Sequence, residues 1–268
     1  MSEEAATESA KDDGTVIRVI KLLMCVASSK TDISIKQFSE KLQLPASTVH
    51  RLLRILSKDA IIEQDPSTHR YRAGSELFRL SSLLSSKSDI SILAIPYMQE
   101  VVANCDEACM LVRYLPRTHQ VEVIGAVNSS NRLRYEIELY RPHSLLWGAT
   151  GRSILAFLPE QERDAAIRLK SRSPATGAPL PKTQLLIAEL NEIRARGYAK
   201  TAGQKIEGAV GIGTPIYDSK GRVIASLCVT IPMVRFDPKK ETALANLLKS
   251  QARQLSASLG YVGEYSGS

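Results

Sequence analysis

Cysteine is scarce in this sequence, four residues in 268. Cys25, Cys105, Cys109 and Cys228 are too few and too scattered for a disulfide scaffold, so a reducing, cytoplasmic setting is expected. No apolar run approaches the ~20 residues that span a bilayer, and no membrane partner is expected. The first thirteen residues hold no apolar core of a secretory signal. No Gly-x4-Gly-Lys-Ser/Thr spacing exists for a phosphate loop. No Ser, Cys or His lies in a nucleophile motif, and no carboxylate pair stands out, so no catalytic residue and no cofactor is expected. Cys105 and Cys109 are four apart and His119 ten further on, too few ligands for a metal; two buried thiols near a helix-to-strand junction is the simpler reading. His50, His69, His119 and His143 are scattered.

What is present is an ordinary globular composition, 44 % hydrophobic and 24 % charged. The length exceeds a typical domain of ~100–150 residues, so two domains are expected. Charge is unevenly spread. Residues 1–13 carry five acidic groups and one Lys, whereas residues 14–87 carry twelve Lys or Arg against six Asp or Glu. A basic segment behind a short acidic tail fits a nucleic-acid module.

The pattern along that segment is specific. Val16, Val19, Ile20, Leu23 and Val26 recur at helical spacing. Ser34 and Gln37 have the spacing of a capping box and open a short helix through Phe38 and Leu42. Gln43-Leu44-Pro45 breaks it, and Pro45 suits the first turn of a new helix over 46–58. That helix has an apolar face of Val49, Leu52, Leu53 and Leu56. Strands at 60–64 and 70–72 flank the turn Asp65-Pro66-Ser67. Three helices and a hairpin are the layout of a winged helix-turn-helix over 14–74. A linker helix follows, with Leu77, Leu80, Leu83 and Leu84 on one stripe. A polar break at 85–89 marks the domain boundary.

From residue 90 the pattern mixes helices with strands at 107–114, 120–127, 132–140, 208–217 and 223–231, and closes with a helix over 239–259. This predicts an α+β domain around an antiparallel sheet.

A helix that enters a major groove needs short polar groups at its start and long basic groups a turn later. Ala46, Ser47 and Thr48 open the 46–58 helix, and His50, Arg51 and Arg54 follow; Arg commonly reads guanine in a bidentate fashion. Ser34, at the start of the preceding helix, is a further DNA contact candidate. Arg70 and Arg72 on the wing suit phosphates or the minor groove. Gly148-Ala149-Thr150-Gly151 reads as a tight loop before a helix, whose amides suit an anion.

Leu44 to Leu53, the wing, Gly148 to Ala156, and the run Gly208 to Asp218 followed by Gly221 and Ser226 to Pro232 together resemble the IclR family of bacterial transcriptional regulators. The resemblance spans about residues 15 to 258. It implies a winged helix-turn-helix joined to a GAF-like effector domain, and a ligand pocket lined by Ala149, Thr150, Gly151, Gly211, Cys228 and Thr230. The sequence departs from the family pattern at Gln204, where a Glu is frequent, at Gly211, where a Cys is frequent, and at Cys228 and Thr230, where a pair of Ser is frequent. The missing side chain at Gly211 favours a larger or aromatic acid over a two- or three-carbon keto acid.

The expected function is a ligand-responsive DNA-binding regulator of a catabolic operon, a homodimer or dimer of dimers on a pseudo-palindromic operator, controlled by a small-molecule carboxylate. The alternative is an enzyme with an accessory DNA-binding-like domain. The basic recognition helix and the lack of a catalytic constellation favour the regulator.

Overall fold

The computed structural model describes residues 14–29, 31–87 and 90–264. The acidic tail, the Leu84 side chain and the Ser88-Asp89 end of the expected boundary lie outside the described residues. The chain divides into two compact units between Ser88 and Asp89.

The first unit has α1 (Thr15–Ser28), α2 (Ile35–Leu42), α3 (Ala46–Lys58), the hairpin strands β1 (Ile62–Gln64) and β2 (Tyr71–Ala73), and α4 (Ser75–Lys87). Ser34 Oγ accepts from the Gln37 amide, and the Gln37 side chain accepts from the Ser34 amide, so the capping box that opens α2 is complete. Gln43 takes a left-handed conformation that ends α2, and Pro45 stands at the cap of α3 rather than inside its first turn. Phe38 from α2, Val49, Leu52 and Leu53 from α3, and Leu22, Ile62 and Tyr71 form the core. Ile33 bridges Tyr71 through two backbone bonds of 2.9 and 2.8 Å, which ties the wing to the start of α2.

The second unit has α5 (Ile90–Cys105), β3 (Ala108–Leu115), β4 (Gln120–Val127), β5 (His143–Ser144), α6 (Gly148–Leu155), α7 (Glu160–Arg168), α8 (Thr183–Arg196), β6 (Ala199–Ala202), β7 (Ala209–Tyr217), β8 (Val223–Pro232) and α9 (Glu241–Ser258). The strands form one antiparallel sheet in the order β5-β4-β3-β8-β7-β6. Ala94, Met98 and Val101 of α5 and Ala245, Leu248, Ala252 and Leu255 of α9 recur at helical spacing and bury in its core. Gly125 meets Met98 of α5, whereas Gly213 meets Ser153 of α6, so α5 and α6 lie on opposite faces.

The expected strand at 132–140 does not form. Its alternating apolar residues Leu133 and Leu139 are exposed, and only Tyr135 and Ile137 are half-buried. The segment is an irregular strap, held by Tyr140 N donating to Val123 O and by Tyr135 Oη donating to Glu207 O. The ladder position beside β4 goes instead to the two residues of β5. Strand β6, unforeseen in the sequence, pairs along β7 from Ala199↔Gly213 to Ala202↔Val210.

Candidate nucleic-acid interface and effector cavity

Helix α3 buries Val49, Leu52 and Leu53. That places Ala46, Ser47, His50, Arg51 and Arg54 on the exposed side, with Thr48 half-buried. None of these side chains is in an ion pair among the described residues, so Arg51 and Arg54 are open to a polyanion. Ser34 is half-buried and its hydroxyl caps α2, which leaves it a positioning role at that helix start. On the wing, Asp65 Oδ1 accepts from Ser67 N, Ser67 Oγ and Thr68 N at 2.9, 2.6 and 2.8 Å, bonds that hold its carboxyl well below the usual range. His69 adopts a positive φ of 55° in this turn. Arg70 is exposed and Nη1 donates to Asp32 O; Arg72 stands across from Glu63, 3.9 Å away, which offsets its charge.

The second unit holds a cavity of about 550 Å³. Its floor is the sheet, through Met110, Val123, Gly211, Val229 and Thr230. The strap from Tyr135 to His143 covers one side, and Gly148, Ala149 and Thr150 of α6 the other. The loop Gln204-Lys205-Ile206 completes it.

Of the six residues expected to line a ligand pocket, Ala149, Thr150, Gly211 and Thr230 do so. Gly151 and Cys228 do not. A Cβ on Gly151 would stand 2.2 Å from the Leu145 carbonyl oxygen, so this glycine serves the close entry of α6. The Cys228 thiol lies beneath α6 between Ser226 Oγ at 3.3 Å and Ser153 Oγ at 3.9 Å. Burial pushes it up to about 11, which makes it inert. Gly211 adjoins both cavity and helix: a Cβ there would meet the Ala149 Cβ at 3.0 Å. The expected loop before α6 is already its first turn, with Trp147 at the cap and no side chain capping that end.

The sequence reading missed the charged group of the cavity. Lys205 Nζ lies 2.6 Å from His143 Nε2, and no carboxylate among the described residues pairs with it. His143 Nδ1 is 3.3 Å from the Arg141 carbonyl, the arrangement of a neutral ring that donates from Nδ1 and accepts from Lys205. Burial, then Lys205, lowers His143 to about 4; burial lowers Lys205 to about 8. Arg141 and Glu138, at the rim, pair with each other at 2.7 Å. Thr150 Oγ1 and Gln204 Oε1 are buried without a hydrogen-bond partner in the chain. One sequence signal pointed here: Gln204 stood out as a departure from the family pattern, and Lys205 is its neighbour.

Among the described residues no cluster of three His, Cys, Asp or Glu is placed to hold a metal. His119 turns to Tyr114 Oη at 3.0 Å, at the far end of β3 from Cys109. No described helix is long and apolar enough to cross a membrane.

A basic winged helix-turn-helix joined to an antiparallel α+β unit with a partly open cavity that holds a lysine defines a DNA-binding regulator that responds to a small molecule. The comparison with known proteins agrees. Residues 15–66 match the model of the IclR helix-turn-helix domain, and residues 83–257 match that of the bacterial transcriptional regulator IclR C-terminal domain. The chain belongs to the IclR family of transcriptional regulators and is not an enzyme. It is 24 % identical over 247 residues to the HTH-type transcriptional regulator KdgR of Escherichia coli, covering 92 % of this chain and 93 % of that one. It is 25 % identical over 255 residues to the glycerol operon regulatory protein of Streptomyces griseus, covering 94 % and 98 %. The crystal structure of Pseudomonas aeruginosa HmgR superposes with a TM-score of 0.76 at 26 % identity, over 92 % of this chain and 98 % of that one.

Proposed function

We propose that this chain is a cytoplasmic homodimer, or dimer of dimers, that controls a catabolic operon from a pseudo-palindromic site, and that its effector is an organic acid bound in the cavity. The observation that carries the effector reading is Lys205: a half-buried amine with no carboxylate partner, in the same cavity as the unpartnered Thr150 hydroxyl and the uncapped N-terminal turn of α6. Together they offer donors and positive charge to an anion, while Glu138 at the rim is taken up by Arg141. Met110, Val123 and Ile137 supply an apolar wall for the carbon skeleton.

Residues 14–74 act as the DNA-binding domain, 75–89 as the linker and 90–268 as the effector-binding and oligomerisation domain. Each protomer brings one recognition helix, α3, so a two-fold dimer calls for half-sites related by a dyad. Ser47, Thr48, His50, Arg51 and Arg54 face the groove, while Arg70 on the wing contacts the backbone. Exposed Phe78 and Leu80 on α4 suit part of the dimer contact.

The test selects binding sites from a random duplex library with the full chain, then titrates a panel of mono- and dicarboxylates against the selected duplex by fluorescence anisotropy. An inverted repeat, with at least one acid shifting DNA affinity in wild type and none in Lys205→Met, is the expected result. A selected site without a dyad overturns the dimer reading. An acid response unchanged in Lys205→Met overturns the cavity reading.

A further inference from the structure

We propose that the acidic N-terminal segment, residues 1–13, docks on the exposed face of α3 and competes there with DNA, an inference that rests on α3 being the DNA-reading helix. It starts from the charge on that helix. Across Ala46–Lys58 there is no acidic residue, and Arg51, Arg54 and Lys58 are exposed along one side. None of the three is in an ion pair among the described residues. Nor is Arg70 on the wing, whose Nη1 donates to the Asp32 carbonyl at 3.2 Å. Elsewhere on the unit carboxylates offset the cations: Glu40 stands 4.0 Å from Lys36, Glu63 3.9 Å from Arg72 and Glu76 2.6 Å from Arg79. The uncompensated positive charge is therefore concentrated where DNA is read.

The tail has the complementary sign. Glu3, Glu4, Glu8, Asp12 and Asp13 stand against Lys11. Met1 and three alanines are its only apolar side chains, so its attraction to the rest of the chain is one of charge. It joins the unit at Gly14, the cap of α1. Leu22 and Val26 of α1 share a core with Val49, Leu52 and Leu53 of α3, so the attachment point belongs to the same small body as the basic face. Thirteen residues span up to about 45 Å when extended. A unit of this size has a radius of gyration of about 11 Å, so α3 is within reach.

Tethering holds the tail at an effective concentration of about a millimolar or more. The contact is exposed and so is weakened by salt, with charges screened over about 10 Å at 0.1 M. Duplex DNA carries one charge per about 1.7 Å, a denser row than the tail, and displaces it. The tail thus lowers affinity for every duplex by a common factor and leaves sequence preference to α3.

The test compares the full chain with a full-length variant whose tail is neutral: Glu3→Gln, Glu4→Gln, Glu8→Gln, Asp12→Asn and Asp13→Asn. Phenylglyoxal modification, read residue by residue by mass spectrometry, reports arginine access without DNA. At about 50 mM NaCl, Arg51 and Arg54 should react about threefold or more slowly in wild type than in the variant, and alike at about 500 mM. Exposed Arg117 and Arg253 of the second unit should react alike in both chains. In fluorescence anisotropy at about 50 mM NaCl, the neutral-tail chain should bind the selected operator and a random duplex about three- to tenfold more tightly. That gain should fall to about twofold or less at about 200 mM. It should vanish when both tails are compared in a background of Arg51→Gln, Arg54→Gln and Lys58→Gln, with a thermal melt to check each fold. Equal arginine rates at low salt overturn the inference. A gain that persists in the α3 background also overturns it, since the tail then repels DNA from a distance. In either event, operator duplex that protects Arg51 and Arg54 in the neutral-tail chain leaves α3 standing as the DNA-reading helix. A duplex that leaves them unprotected overturns that reading and this inference with it.

Discussion

Replacing Lys205 with Met should make the empty protein more stable while it removes anion binding. The amine sits at about 8 in the folded chain, against 10.5 for an ordinary lysine, and burial is the principal cause. Folding therefore opposes the charged form by about 2.5 pH units, or roughly 3.4 kcal/mol at most. Water reaches part of the half-buried side chain and relaxes some of that penalty, so a gain of about 1–2 kcal/mol is expected for the variant. For a unit of this size that is an apparent Tm higher by about 2–8 °C. The sign follows from proton counting. Between pH 8 and 10.5 the unfolded chain holds a proton that the folded chain has lost, so wild-type stability rises with pH there. The penalty is complete below about 8 and gone above 10.5. The advantage of Lys205→Met should thus be full at pH 7 and fade across that window, leaving only the pH-independent contribution of the extra apolar contact. His143 adds to the difference at acid pH, because the variant no longer places a cation beside it. The Cys228 thiol, which Lys205 holds down, rises further in the variant and stays protonated across the window. Calorimetric melts of both proteins at pH 7, 9 and 10.5 measure this. A variant less stable at pH 7, or a gain constant across the range, would refute the reasoning.

Arg51→Ala should weaken binding to the selected operator by about 1–3 kcal/mol and relax one base preference, whereas Arg70→Ala should weaken all sequences alike and lower the salt slope by about one; equal losses on operator and random DNA would show that Arg51 touches only phosphate. Gly211→Leu fills the cavity and pushes on Ala149, whose Cβ would be 3.0 Å from the new one, so acid response should vanish with operator affinity kept; a normal response in anisotropy would place the ligand elsewhere. Arg152 is fully buried, its guanidinium is 3.5 Å from Glu189 and otherwise unpartnered, and so Arg152→Met should change stability by less than about 1 kcal/mol or raise it, while Glu189→Gln should lower it; a loss above about 3 kcal/mol in urea titration of Arg152→Met would mean the guanidinium is satisfied by groups such as trapped water.

The local rules of the chain carried most of the first unit but not the buried face of α1, where Val16 and Ile20 of the expected stripe are exposed and Leu22, outside it, is buried. A capping box at Ser34 and Gln37, a break at Pro45, an apolar stripe from Val49 to Leu56 and a turn at Asp65 each act within a few residues, and the structure follows them element by element. The sheet strands β3, β4, β7 and β8 were equally plain, because each is mostly buried and mostly apolar. The strap at 132–140 was misread, since its alternation of apolar and polar residues satisfies the strand rule while a partner strand is something only the tertiary fold supplies. The same limit governs the cavity. Thr150 and Gly211 were visible through their motifs, but a motif does not say which way a residue faces, and Gly151 and Cys228 turn away from the space that Thr150 and Gly211 enclose. Lys205 and His143 are 62 positions apart in sequence, and nothing local says that they meet. Their meeting, and the depressed charge that results, come from desolvation by strands, a strap and a helix start brought together by folding; burial is a property of the assembled unit, and no window of residues contains it.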